Sequence, residues 1–106
     1  MENRLTINPR GSACYLCGPY GATSMFETAA GILEDAGANV IDPNRCIVGG
    51  ADKGDGFAAN IVRLCKEADI MVLLPGWEYD NMACVERMLA KELGMLICDI
   101  DEIDGD

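Results

Sequence analysis

The stretch that most constrains the fold of this chain runs from Ala68 to Ile100. It begins with five consecutive apolar residues, 70–74, followed by a Pro-Gly turn signal, a pattern typical of a strand buried on both faces. A helical pattern from about Asn81 to Leu93 comes next, and Gly94 ends it before a second apolar strand begins. One strand–helix–strand unit of this kind predicts a parallel sheet whose loops gather at one edge.

The rest of the chain repeats this alternation. Strands are expected near 13–17, 38–41, 69–74 and 95–99, and helices near 23–35, 57–67 and 81–93. The predicted architecture is α/β: a small flavodoxin-like, doubly wound parallel sheet of four to five strands, in the order 2-1-3-4, with helices on both faces. Thr23 or Ser24 is expected to cap the first helix. The region from Asn44 to Gly56 is expected to be loop-like, with its last run, Asp52–Gly56, as a mobile loop.

The length of 106 residues suits a single domain covering the whole chain. Residues 1–11 are expected to be a loose arm or a short edge strand, and residues 101–106 belong to an acidic tail that frays after the last strand.

The charge balance excludes several classes of partner and of catalysis. The formal net charge is −10, and the chain has no histidine. Nucleic acids and anionic membrane surfaces are poor partners for such a chain, because both require clustered Lys and Arg. Without histidine, acid–base chemistry must come from carboxylates, tyrosines or thiols.

The six cysteines are expected to be reduced thiols in a cytoplasmic protein. Cys14 and Cys17 form the one C-x-x-C pattern, but they lie in a predicted strand, where positions i and i+3 point to opposite faces. We therefore expect no metal site and no cofactor.

Glu86 is the strongest candidate for chemistry. The helix face that contains it is otherwise apolar, and no Lys or Arg lies three or four residues away. A carboxylate in such a stripe must be desolvated, partnered from another element or directed into a cavity. The alternative is that Glu86 lies at the edge of the stripe and reaches water. Six residues earlier, Asp80 is placed as a helix N-cap.

The predicted topology also locates a binding edge. Ligands of open α/β sheets bind at the carboxyl ends of the strands where the chain reverses direction. In the order 2-1-3-4 that point is flanked by the loops at 18–21 and 75–80, and the helix with Glu86 begins at the same edge. Asp69 lies at the opposite edge and is expected to be structural.

These residues together resemble the nucleoside 2-deoxyribosyltransferase-like superfamily, and most of all a branch of small phage and bacterial domains with an L-P-G-W-E signature. The resemblance covers roughly residues 12–100, and its matching segments are Tyr15-Leu16-Cys17-Gly18-Pro19, Val40-Ile41-Asp42-Pro43, Leu74-Pro75-Gly76-Trp77-Glu78 and Glu86 with Ala90, Leu93 and Gly94.

The resemblance implies catalytic roles for two residues. Glu86 matches the glutamate that attacks the anomeric carbon of a deoxyribosyl group, and Asp80 matches an aspartate that helps to handle the sugar or the base. The implied substrate-binding residues lie in both loops and in the neighbouring elements: Gly18, Pro19, Tyr20, Gly21, Asp42, Asn60, Trp77 and Asn81. The superfamily also forms dimers, so a homodimer or higher homo-oligomer is expected, with Met25, Met88 and Leu89 as candidate contact residues.

Three functions remain open. The first is hydrolysis or transfer of an N-glycosidic bond of a deoxynucleoside or its monophosphate. The second is a binding module for a nucleoside- or nucleotide-derived ligand without turnover, which is favoured by Met82-Ala83 and Asn60 where the superfamily has Gly-Ser or Gly-Thr and an aspartate. The third is an interaction domain whose acidic surface meets a basic partner.

Overall fold

The computed structural model describes residues 7–46 and 53–103. Within these ranges, four strands form one parallel sheet in the order β2-β1-β3-β4: β1 Ala13–Cys17, β2 Asn39–Ile41, β3 Ile70–Leu73 and β4 Leu96–Asp99. Three α-helices connect them: α1 Thr23–Asp35, α2 Lys53–Glu67 and α3 Asn81–Glu92. None of these helices is long and apolar enough to cross a bilayer. The predicted α/β class and strand order are confirmed.

The two faces of the sheet carry separate apolar layers. Along β1, Cys14 and Leu16 pack in the cluster that includes buried residues of α1, whereas Tyr15 and Cys17 pack in the cluster that includes residues of α2 and α3. This alternation follows from the two-residue period of a strand. Cys14 and Cys17 therefore lie in different layers, as the sequence predicts.

Helix α2 begins earlier than the sequence predicts. Of the expected loop, residues 44–46 belong to the 3-10 turn Pro43–Cys46 and residues 53–56 belong to α2, whereas residues 47–52 lie outside the described part. Glycine disfavours a helix interior by about 1 kcal/mol relative to alanine, so the pattern of Gly54 and Gly56 suggests a loop locally. The structure nevertheless includes both glycines in α2 and places Gly56 in a buried position.

The capping prediction for α1 is wrong, while the predicted ends of two helices are confirmed. The N-cap is Ala22, without a side-chain cap, because the turn from Pro19 to Ala22 starts the helix before the hydroxyls. Gly37 and Gly94 follow the ends of α1 and α3 with positive φ angles of 89° and 71°.

The chain after β4 does not fray at once. Ile100–Glu102 form a 3-10 turn with a capping box between Asp99 and Glu102, and Ile103 pairs with Ile7 in a parallel bridge. Ile7, Ile100 and Ile103 pack against the core layer of α1, which explains why these parts of the expected arm and tail are ordered. Residues 1–6 and 104–106 of the arm and tail lie outside the described part.

Candidate active site

Two loops meet at the carboxyl ends of β1 and β3, the point where the strand order reverses. A Cβ at Gly18 would lie 2.9 Å from Leu74 Cβ. Gly76 has a φ of 90°, and a Cβ there would lie 3.1 Å from Pro19 Cγ. The two glycines thus allow the loops to pack against each other. Asp69 lies at the other edge of the sheet, where it accepts a hydrogen bond from the Ala13 amide (2.9 Å), in agreement with the structural role expected for it.

Glu86 is fully buried on α3 and faces the sheet. Its Oε2 accepts a hydrogen bond from the Tyr15 hydroxyl (2.6 Å) and another from the Tyr20 hydroxyl. Its Oε1 is buried and has no hydrogen-bond partner among the described residues. The alternative of an edge residue that reaches water is therefore wrong. One carboxylate oxygen is held by two phenols, and the other is left for a reaction or a ligand.

The surroundings adjust the proton affinity of this group. Burial raises the pKa of Glu86 from 4.5 to about 7, an effect opposed by the hydrogen bonds from Tyr15 and Tyr20 and reinforced by the charge of Asp80. The nearby Cys17 thiol donates to the Ala83 carbonyl instead (3.3 Å). Burial, followed by the charge of Glu86, raises the pKa values of both tyrosines well above their usual range. The phenols consequently remain proton donors, while Glu86 titrates near neutral pH.

Asp80 joins the two loops to the helix. Its Oδ1 accepts a hydrogen bond from the Ala83 amide (3.0 Å), which confirms the predicted N-cap of α3. Its Oδ2 accepts from the Tyr20 amide (2.9 Å). Both oxygens thus have a positioning role: one starts the helix that presents Glu86, and the other fixes the loop that presents Tyr20.

Asn60 reaches the site from α2. It is fully buried, and its Nδ2 donates to the Tyr20 hydroxyl (3.2 Å) and to the Pro43 carbonyl (3.0 Å). Its Oδ1 has no partner among the described residues. The structure therefore brings Asn60, Tyr20 and Glu86 into one hydrogen-bonded chain, although they are far apart in sequence.

The segment after β2 supports the first loop. Asp42 is buried, and its side chain accepts a hydrogen bond from the backbone N–H of Asn44 (2.9 Å). The side-chain oxygen of Asn44 in turn accepts a hydrogen bond from the backbone N–H of Gly21 (3.3 Å). Asp42 and Gly21 are thus linked through Asn44, which the sequence analysis did not single out.

The predicted residues Trp77 and Asn81 lie outside this hydrogen-bonded network. Trp77 packs against the α2–α3 layer with the Arg87 guanidinium 5.5 Å from its ring centroid. It also lines a cleft of about 290 Å³ between the ends of β3 and β4, which none of Glu86, Tyr15 and Tyr20 lines. Asn81 is exposed at the start of α3, and no hydrogen bond within the described part joins it to Glu86.

Tyr15 is the functional residue that sequence reasoning missed, although its segment was part of the resemblance. The pattern contained a usable signal: Tyr15 lies in the middle of an apolar strand, and the hydroxyl of a buried tyrosine normally finds a hydrogen-bond partner. Glu86, the one charged residue on its apolar helix face, likewise required a hydrogen-bond partner from another element. In the structure the Tyr15 hydroxyl and the Glu86 carboxylate are each other's hydrogen-bond partner.

This arrangement suits a nucleophilic carboxylate. Oε1 of Glu86 has free lone pairs, while the two phenols stabilise the charge on Oε2. The described residues contain no group of three or more His, Cys, Asp and Glu side chains that could hold a metal ion.

A family model described as "Domain of unknown function (DUF4406)" matches residues 13–99. Comparisons with curated proteins and with solved structures found no match.

Proposed function

Since the chain belongs to the DUF4406 family, whose function is unknown, we propose from the site itself that the protein cleaves or transfers the N-glycosidic bond of a deoxynucleoside or deoxynucleoside monophosphate. The observation that carries the proposal is the buried Glu86 with one oxygen held by two tyrosines and the other unpartnered. This is the polar geometry expected of a carboxylate that forms a glycosyl ester. The resemblance to the nucleoside 2-deoxyribosyltransferase-like superfamily supports the same assignment.

In the proposed reaction, Oε1 of Glu86 bonds to the anomeric carbon as the bond from that carbon to the base nitrogen breaks. The electron pair leaves with the base, which takes a proton from water. Water then hydrolyses the ester to release the sugar, or a second base accepts it. The ionised form of Glu86 is required, so base release should increase as the pH rises through about 7, the pKa that burial gives this carboxyl.

Access to Glu86 depends on Tyr20 in this proposal. Tyr15 is fully buried, whereas Tyr20 is half-buried on the Gly18–Gly21 loop. The sugar would therefore approach Oε1 past the Tyr20 side chain, with the Tyr20 hydrogen bond to Oε2 kept. The neighbouring N-terminus of α1 lacks a side-chain cap, and such an N-terminus suits a 5′-phosphate.

A binding module is the second candidate, and one observation favours it. Glu86 is fully buried, whereas a nucleophile has to be reached by its substrate. A protein that only sequesters a nucleoside or nucleotide would use the same loops and polar groups without forming an ester.

The first prediction separates these functions. We expect the parent protein to release free base from at least one member of a panel of deoxynucleosides and their monophosphates, measured by chromatography. Glu86→Gln should abolish the release and leave substrate binding nearly intact, because it keeps the shape and removes the charge. Ligand binding without base release by the parent would establish the binding module, and a Glu86→Gln variant as active as the parent would refute the nucleophile.

We further propose that the protein acts in the cytoplasm as a homodimer or higher homo-oligomer. Exposed apolar side chains on α2 and α3 support this assembly: Val62 is 51%, Val85 48% and Met88 63% exposed. Of the expected contact residues, Met88 is exposed, while Met25 and Leu89 are half-buried against the two core layers.

A further inference from the structure

The orientation of the Asn60 amide is determined by its surroundings. The Pro43 carbonyl can only accept a hydrogen bond, so the side-chain atom 3.0 Å from it must be the nitrogen. The same nitrogen lies 3.2 Å from the Tyr20 hydroxyl and donates to it. Asn60 is fully buried, so no solvent molecule competes for these positions.

This hydrogen bond from Asn60 restricts the direction in which the Tyr20 hydroxyl can donate its own hydrogen. A phenol has one hydrogen, and a phenol oxygen that accepts an amide N–H has its own hydrogen free to donate elsewhere. In this structure the Tyr20 hydroxyl donates that hydrogen to Oε2 of Glu86. The order of donation is thus Asn60 to Tyr20 to Glu86, in one direction.

The unused half of the amide indicates that Asn60 is more than a packing residue. Its Oδ1 is buried without a partner in the described part of the chain, and an unpaired buried acceptor lowers the stability of the folded state. An apolar residue of the same size would avoid that penalty. The amide is therefore explained by what its N–H groups do.

We infer that Asn60 is a positioning residue for Glu86. By donating to the Tyr20 hydroxyl oxygen, the Asn60 side-chain amide keeps the Tyr20 O–H directed at Oε2 of Glu86. The titratable groups that face Glu86 are Tyr15 and Cys17 from β1, Tyr20 from the following loop and Asp80 from the start of α3. Asn60 is neutral, and it acts on Glu86 through the Tyr20 hydroxyl, to which it donates a hydrogen bond. The role of Glu86 as nucleophile rests on the proposed function, whereas the effect of Asn60 on Glu86 is measurable without any substrate.

The experiment is a double-mutant cycle on the titration of Glu86, followed by carbon NMR of the glutamate side-chain carboxyl. Asn60→Leu keeps the volume and removes the donor, so the pKa of Glu86 should rise by about half a pH unit or more as the bond from Tyr20 weakens. Tyr20→Phe removes the bond itself and should raise it at least as far. In the Tyr20→Phe background, Asn60→Leu should add almost nothing, because its effect passes through the hydroxyl.

Two results would overturn the inference: a Glu86 titration that Asn60→Leu leaves unchanged, or an equal change with and without the Tyr20 hydroxyl. If Asn60→Leu does not fold, Asn60→Ala enters the same cycle and is judged by the same two criteria. Where the parent releases base, the acid limb of the kcat/KM profile should move upward in Asn60→Leu by the same amount as the NMR titration of Glu86. A parent that releases no base would refute the proposed function and leave the NMR test of Asn60 intact.

Discussion

At the scale of single residues, the molecule is organised around a carboxylate in an apolar layer. The sequence was sufficient to single out Glu86, because a lone charge on a core-facing stripe requires an explanation. The sequence also placed Tyr20 and Asn60 among the candidate site residues. It did not pair Tyr15 with Glu86 or Asn60 with Tyr20, since these residues come from separate segments that only the tertiary fold brings together.

The stability of the protein should therefore depend on the protonation of Glu86. The folded-state pKa of about 7 lies above the ordinary 4.5, so the folded protein binds this proton more tightly than the unfolded chain. The contribution of this bound proton to the free energy of unfolding is fully present below pH 4.5 and is lost as the pH rises through about 7. Glu86→Gln lacks this titration, so it should match the parent near pH 4.5 and exceed it by about 3 kcal/mol above pH 8, at ~1.4 kcal/mol per pKa unit.

Urea unfolding of both proteins between pH 4.5 and 8.5 would measure this difference. The exposed Glu92 on the same helix offers a matched control. Glu92→Gln should follow the parent curve throughout the range. Parallel curves for the parent and Glu86→Gln would mean that burial does not shift the Glu86 titration.

At the scale of secondary-structure elements, the sequence predicted those whose hydrophobic period is strong. The buried runs that became β1 and β3 and the amphipathic patterns of α1 and α3 were located within a residue or two. The start of α2 could not be predicted, because Gly54 and Gly56 lower local helix propensity. Tertiary packing decides that boundary, as it does for the ordered Ile100–Glu102 turn.

Asp80 connects element geometry to the site, and its two bonds can be separated. Asp80→Ala should lower the free energy of unfolding by about 1 kcal/mol, the usual effect of losing an N-cap. Asp80→Ser retains a capping oxygen but has a single acceptor atom, so it should keep most of the stability and still release the Tyr20 amide. Amide hydrogen exchange at Tyr20 would then be faster in both variants. Unchanged protection at Tyr20 would show that the 2.9 Å bond to Asp80 Oδ2 does not hold the loop.

At the scale of the whole molecule, charge is distributed unevenly. The net charge is −10, yet α2 and α3 together hold five of the eight basic residues and four of the eighteen acidic ones: Lys53, Arg63, Lys66, Arg87 and Lys91 against Asp55, Glu67, Glu86 and Glu92. This layer is thus nearly neutral in an otherwise acidic chain. Since like charges oppose association, it is the layer on which two copies can approach most readily.

We expect the layer of α2 and α3 to form the contact of the proposed homodimer. Met88→Glu places a charge at the 63% exposed methionine of α3 and should convert the proposed homodimer to monomer in sedimentation at micromolar concentration. Ile32→Glu, on α1 across the sheet, puts the same charge at a 41% exposed isoleucine and should leave the dimer intact. Added salt should strengthen association of the parent, because it screens the net repulsion between two acidic chains. A parent that sediments as a monomer at both low and high salt, or two variants that dissociate equally, would show that α2 and α3 do not form the contact.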